Sequence, residues 1–333
     1  MVSKGDINKL KVIVFPNPHF KSSNPYLKDL CYHINAINKD DLYDANIVNL
    51  YKHLFDGNTY IFNWPENLSF RKFGYIQIAL FLIAFIILKT RKVKIVWIFH
   101  NISPHQGHTW ITRVIYKIFF RWSNLIIAHS QKALKCIKEH TNAKSAVIPH
   151  PFRERFYPTK DLNYKYDIII WGSIYKYKGI LEFLTNKITW PKQFKVLIIG
   201  KCNDSDYDHK IRSIIDKDTI YQNRFADKKE LETLILSSRY VVFPYIKDSI
   251  SSSGALIDSL LLGKTVIGPN VGAFQELSSE GLCYTFDEYG DIFDIISNNE
   301  NINIDLIEHY VNENVWDTSV QKIISYLLES KNV

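Results

Sequence analysis

The sequence predicts an α/β protein of two domains, each built on a parallel sheet with helices against it. Three observations lead there. Short runs rich in Val, Ile and Phe alternate with helix-length segments along the whole chain, which is the pattern of strand–helix–strand units with parallel sheets. The length, 333 residues, suits two domains of ordinary size. A polar, proline-containing segment at 153–163 separates halves of opposite charge: residues 1–155 carry 22 Lys/Arg against 9 Asp/Glu, and residues 156–333 carry 19 against 25. The predicted domains are 1–152 and 164–308, with a terminal helical segment at 309–333.

The composition narrows the functional classes. Cys31, Cys136, Cys202 and Cys283 are scattered with no CxxC pair, which argues against a zinc site and a disulfide framework and points to a reducing compartment. The opening MVSKGDINKLKVIVF lacks the long apolar run of a signal peptide. The basic first half predicts contact with an anionic surface. Anionic lipid is the better candidate, because no nucleic-acid-binding module is recognisable.

In the first half, 10–15 (LKVIVF) is a buried strand. Asn24, Pro25 and Tyr26 stand where a helix starts, with proline near its first position. No GxGxxG follows, so a dinucleotide fingerprint is absent. Segments 45–50 and 59–63 read as strands, and the second ends in Asn63-Trp64-Pro65-Glu66. Ligand-contacting loops lie at such carboxyl ends; the plainer role for Trp64 is to cover the sheet edge.

Segment 75–88 is apolar except for Gln77, and about 14 residues are too few for the roughly 20 that a bilayer span needs. Arg71 and Lys72 precede it, and Lys89, Arg91, Lys92 and Lys94 follow. Two readings stand: a fully buried helix, or one bedded in a membrane interface with its basic flanks on headgroups. The amphipathic stretch 113–125 adds basic and aromatic residues nearby. Strand 93–99 ends on His100, Asn101, Pro104, His105 and His108. This is a loop, and no cysteine or carboxylate cluster supports a metal site in it. Histidine titrates near neutrality, so acid/base and hydrogen-bonding roles are both open. Strand 124–129, helix 130–140 and strand 146–149 complete the half.

In the second half, strand 166–171 runs into Gly172 and Ser173, and Lys178-Gly179 precede a helix. A lysine there is either a point charge for phosphate or a solvated turn residue. Strands 194–200, 220–225 and 239–245 follow, with a helix at 228–237. The stretch 248–277 organises this half. Ser251, Ser252, Ser253, Gly254 and Ala255 lead into the apolar helix 255–262; Gly263 stops it, 265–267 is a strand, and 274–277 starts another helix. A small-residue loop at a helix N-terminus offers free N–H groups and the positive end of a dipole to phosphate. The plainer reading is a serine-capped helix. The tail 306–333 is helical.

In order and spacing, 248–277 resembles the donor-binding segment of the "glycosyltransferases group 1" family, which has the GT-B fold of two Rossmann-like domains facing across a cleft. GSIYKYKGILEFL resembles the family's G-R-…-K-G loop, whose Arg and Lys hold the donor diphosphate. Lys178 matches the Lys; Ser173 or Ile174 stands in the Arg position, with Lys176 a possible substitute. The family often has two Glu residues separated by seven others; here the second position is Asp258 and the first is Ile250. The serine-rich version is similar to a bacterial polysaccharide-synthesising subset. The NPY at 24–26, the WPE at 64–66 and the HN…PH at 100–105 also resemble that subset, on the acceptor side and in the cleft. The resemblance implies a metal-independent transferase taking a UDP- or GDP-linked sugar to a lipid-linked or polysaccharide acceptor, peripheral on the cytoplasmic face of the inner membrane. It implies His100 beside the reacting carbon, and Asn24, Tyr26 and Trp64 towards the acceptor. Glu66 and His105 are base candidates for an inverting reaction. It also implies a C-terminal helix crossing back to the first domain. A non-catalytic subunit of the same fold, binding a nucleotide sugar or a partner enzyme, is the alternative.

Overall fold

The computed structural model describes residues 10–16, 25–39, 47–70, 73–100, 109–153, 156, 164–246 and 254–329. The chain forms two compact units: Met1–Arg153 with Trp316–Val333, and Glu154–Val315.

The sheet of the first unit is β1 (Val12–Phe15), β2 (Thr59–Asn63), β3 (Lys94–Phe99), β4 (Leu125–Ala128) and β5 (Ser145–Val147), parallel and in sequence order. Its four longer strands are apolar runs buried along nearly their whole length, as expected of strands covered on both faces. On one face lie α1 (Pro25–His33) and the terminal helix, α13 (Trp316–Leu328). On the other lie α2 (Ile47–Lys52), α3 (Gly74–Thr90), α4 (Trp110–Trp122) and α5 (Gln131–His140). The segment expected as a strand at 45–50 is instead the helix α2 over its described part. Its period-2 pattern is broken by Asn49, which is buried with Ile47 and Leu50 on one helical face.

The helix α3 is neither fully buried nor amphipathic. Ile78, Phe81, Ala84, Phe85 and Leu88 enter the core, while Phe73, Tyr75, Ile76, Leu80, Ile83 and Ile86 are exposed. Among the described residues no helix is long and apolar enough to cross a membrane.

The sheet of the second unit contains β6 (Tyr166–Trp171), β7 (Val196–Ile199), β8 (Thr219–Gln222), β9 (Ser238–Val242), β10 (Thr265–Pro269) and β11 (Tyr284–Phe286), all parallel, in the order β11-β10-β9-β6-β7-β8. Around it run α6 (Ile180–Lys187), α7 (Ser205–Ile214), α8 (Lys228–Leu236), α9 (Gly254–Leu261), α10 (Gly272–Ser279), α11 (Tyr289–Ser297) and α12 (Ile304–Glu313). The tail is therefore two helices, which part at Asn314. The second crosses back to the first unit, where Trp316, Val320, Ile323, Ile324 and Leu327 complete a core with Val12, Val14 and Leu30.

Candidate functional site

The second sheet contains a switch in strand order. β6 lies between β7 and β9, so the chain builds outward from β6 to one edge and later from β9 to the other. Open parallel sheets bind ligands outside the carboxyl ends of the strands at such a switch. The predicted loop 172–179 follows β6, and 243–246, which lead towards the predicted stretch 248–277, follow β9.

Gly172 takes φ 100° and turns the chain at the end of β6. A Cβ on it would stand 3.3 Å from Lys178 Nζ, so the lysine folds back over the strand end. A 3-10 turn, Lys176–Lys178, leads to Gly179 at φ 63°. A Cβ there would meet Pro244 O at 1.9 Å and Tyr289 Oη at 2.6 Å, so only glycine lets the two loops approach. Ile246 N–H donates to Tyr177 O at 3.0 Å and fastens them.

The Lys178 ammonium lies 5.1 Å above the Tyr245 ring. Burial pulls its pKa down to about 8. Among the described residues no carboxylate pairs with it. Lys176, the possible stand-in for the missing arginine, is instead paired with Asp204 at 3.0 Å.

α9 is brought to the same strand end. Trp171 Nε1 donates to Ser259 Oγ at 3.1 Å, and Ser259 donates to Ala255 O one turn earlier. Gly254 opens the helix, with nothing within 4 Å of where its Cβ would be. Ala255 is half-buried, Asp258 is exposed on the next turn, and Ser173 is partly exposed beside Gly172. Ser251, Ser252 and Ser253 lie outside the described residues, as do Asn24 and His105.

In the first unit a second group forms at the carboxyl ends of four successive strands. Trp64 follows β2, His100 follows β3, His129 follows β4, and His150 stands three residues beyond β5. All four surround Tyr26, in the first turn of α1, with ring centroids 4.9 Å away for His100, 5.1 Å for His150, 5.5 Å for His129 and 6.1 Å for Trp64. From the terminal helix, Trp316 closes the far side of Tyr26 at 5.0 Å. Trp64 takes φ 45°, a strained value for an aromatic residue, and this stacks its indole on His100 at 3.9 Å and 18°.

Hydrogen bonds set the protons. His129 Nδ1–H donates to Ile148 O at 2.8 Å, so its Nε2 accepts from the Tyr26 hydroxyl at 3.1 Å. His100 Nε2 lies 2.9 Å from Asn63 Oδ1 and donates to it. Burial holds His129 well below the usual range, at about 4. Burial, then the nearby His129, takes His150 to about 3. Both are neutral at neutral pH. Glu66 is 2 % exposed, in a 3-10 helix at Pro65–Phe70 that packs against α3 and α4, and its charge is felt by Tyr116 of α4.

His129 and His150 were missed in the sequence, although His129 ends the predicted strand 124–129 and His150 follows the predicted strand 146–149, a signal like the one that singled out His100. Trp316 carries no such signal, because it arrives from the far end of the chain.

Neither a family model nor a curated protein matches this sequence. Solved structures do match its fold. The Anabaena protein HepE, in complex with UDP and glucose, superposes with a TM-score of 0.70 at 14% identity, covering 96% of this chain and 100% of that one. AviGT4, a glycosyltransferase involved in avilamycin A biosynthesis, matches with a TM-score of 0.60 at 12% identity, covering 97% and 99%. TarM matches with a TM-score of 0.58 at 13% identity, covering 86% and 57%. Two parallel-sheet domains, a strand-order switch in the second and a terminal helix returned to the first identify the chain's architecture as the GT-B fold.

Proposed function

We propose that the chain is a glycosyltransferase that moves a hexosyl-type sugar from a nucleotide-diphosphate sugar to a lipid-linked or polysaccharide acceptor in bacterial surface glycan synthesis. It would work without a metal, at the cytoplasmic face of the inner membrane. The observation that carries this reading is Lys178: a partly buried ammonium without a carboxylate partner among the described residues, at a strand-order switch beside the start of α9. A cation so placed calls for an anionic ligand. HepE, which shares the fold, was crystallised with UDP and with UDP-glucose.

In transfer, the bond from the anomeric carbon to the diphosphate oxygen breaks, and the diphosphate leaves with the electron pair. The acceptor oxygen forms the new bond and loses its proton. Lys178 and the N–H groups opening α9, with Ser251, Ser252 and Ser253 ahead of it, stabilise the leaving charge. Gly172, Ser173 and Gly179 shape the loop around it, and Asp258 holds hydroxyls of the sugar or ribose. His100, oriented by Asn63 and Trp64, stands beside the reacting carbon, with Tyr26 and Trp64 towards the acceptor. Glu66 or His105 would take the proton in an inverting reaction.

The test is thermal melting with UDP, GDP, ADP and CMP, each with and without EDTA. At about 100 times its dissociation constant a ligand adds roughly 2.7 kcal/mol. We expect one diphosphate to stabilise the wild type, unaffected by EDTA, and to have no effect on Lys178→Ala. The second reading, a non-catalytic subunit of the same fold, is favoured by the tie of Lys176 to Asp204, which leaves the missing arginine unreplaced. Stabilisation by a diphosphate without turnover of any sugar donor would favour it.

A further inference from the structure

We infer that α3 is a monotopic membrane anchor: its outer face inserts among the acyl chains of an anionic bilayer, instead of adsorbing to the headgroups by charge alone. This rests on the membrane-associated part of the proposed function and adds how the surface is engaged.

Two independent observations carry it. The first is the shape of the apolar surface. The inner face of α3 is locked into the core, so the helix cannot leave the domain to span anything, and its 17 residues reach only about 25 Å. Its outer face nevertheless shows Ile76, Ile83 and Ile86 to solvent at 60%, 51% and 53% exposure, with Phe73, Tyr75 and Leu80 alongside. The apolar surface continues onto one neighbour, α2. On one side Tyr51 of α2 donates to Leu80 O, and Val48 and Phe55 stand exposed. On the other side the contact is on the core face, where Phe85 stacks on Trp122 of α4. An exposed apolar helix face of this kind marks an interaction site.

The second observation is charge, and it selects the occupant. From Asn67 to Lys138 the chain has 12 Lys/Arg and no Asp or Glu at all. Arg113, Lys117 and Arg121 form one exposed row along α4, and Lys92 stands exposed just beyond the end of α3. Lys89 and Arg91 are turned instead onto carbonyl oxygens of Trp122 and of Leu54, Phe55 and Gly57. An apolar strip rimmed mainly by cations, with Asp56 beside Phe55 held by His53, matches acyl chains below anionic headgroups. It does not match a second copy of itself, which would set like charges face to face.

The test is flotation with vesicles of mixed phosphatidylcholine and phosphatidylglycerol, using the full chain and a triple variant, Ile76→Ser, Ile83→Ser and Ile86→Ser. These three positions are exposed, so the variant keeps its melting temperature and any shift with UDP. The wild type should float in ~0.1 M salt and still float in ~1 M salt, where the Debye length falls to about 3 Å. The triple variant should float at least about tenfold less at high salt. Release of the wild type by high salt, or flotation of the variant like the wild type, overturns insertion. So does a wild-type dimer that the three serines dissolve and that does not float. Loss of the UDP shift with flotation retained would count against the nucleotide site alone.

Discussion

At the scale of residues, Lys178 and Gly179 show how one turn holds a charge that no carboxylate among the described residues neutralises. Burial lowers the Lys178 pKa to about 8, and a bound diphosphate would raise it again. Affinity for UDP should therefore fall as pH rises through about 8, and binding there should take up protons. Calorimetry in buffers of different ionisation enthalpy measures that uptake; none would mean that the phosphates lie elsewhere. Gly179→Ala meets both a left-handed backbone and the Pro244 carbonyl, so a loss of about 2 kcal/mol or more is expected in denaturant melts. His129 and His150 act in the other half. Folded, they stay neutral down to about 4 and 3, whereas unfolded imidazoles take up protons near 6.5. Between those values the unfolded chain binds more protons, so stability drops on acidification from about pH 7 to about pH 4. His129 alone accounts for something on the order of 3 kcal/mol. A melting temperature flat across that interval would show that the imidazoles are not buried.

At the scale of elements, α9 offers the sharpest test of the helix N-terminus. Gly254 has open space where a side chain would go, so Gly254→Asp should fold normally. Its carboxylate would repel a diphosphate, and UDP should no longer raise the melting temperature. Most elements could be read from the sequence because parallel strands buried on both faces are short continuous apolar runs. Tyr166–Trp171 matches its expected limits. The strand expected at 45–50 failed because a run of six with one buried polar residue fits either period. Composition alone could not settle α3: a helix apolar all round leaves open which side faces the core, and only the packing of Phe81 and Phe85 against Phe119 decides it. For the site, the glycines and Lys178 were legible as strand-end punctuation. The ring of histidines was not, because it depends on four strands standing side by side in sequence order.

At the scale of the whole molecule, the first unit is closed by the last helix of the chain. Trp316 N–H donates to Phe152 O at 3.2 Å, the indole packs on Tyr26 and His33, and Asp317 meets His33 at 2.8 Å. Lys94 and Lys144 bond to the carbonyls of Leu327 and Tyr326 at its other end, where cations suit the helix dipole. Trp316→Ala should cost about 3–5 kcal/mol in the first unit, as for other buried tryptophans. It should also broaden the side-chain NMR signals of His129 and His150 while leaving those of the second unit unchanged. Signals unmoved in the first unit would show that Tyr26 is held without it.

The return of α13 also makes the second unit an insertion within the first. On a ribosome, residues 154–315 emerge as one contiguous stretch that can collapse as soon as it clears the exit tunnel. The unit that begins the chain must wait, with the apolar residues of β1 and α1 uncovered, until the final helix is made. A stalled chain ending before Trp316 should therefore resist protease in its middle and be cut near its start, an order of maturation opposite to the order of synthesis.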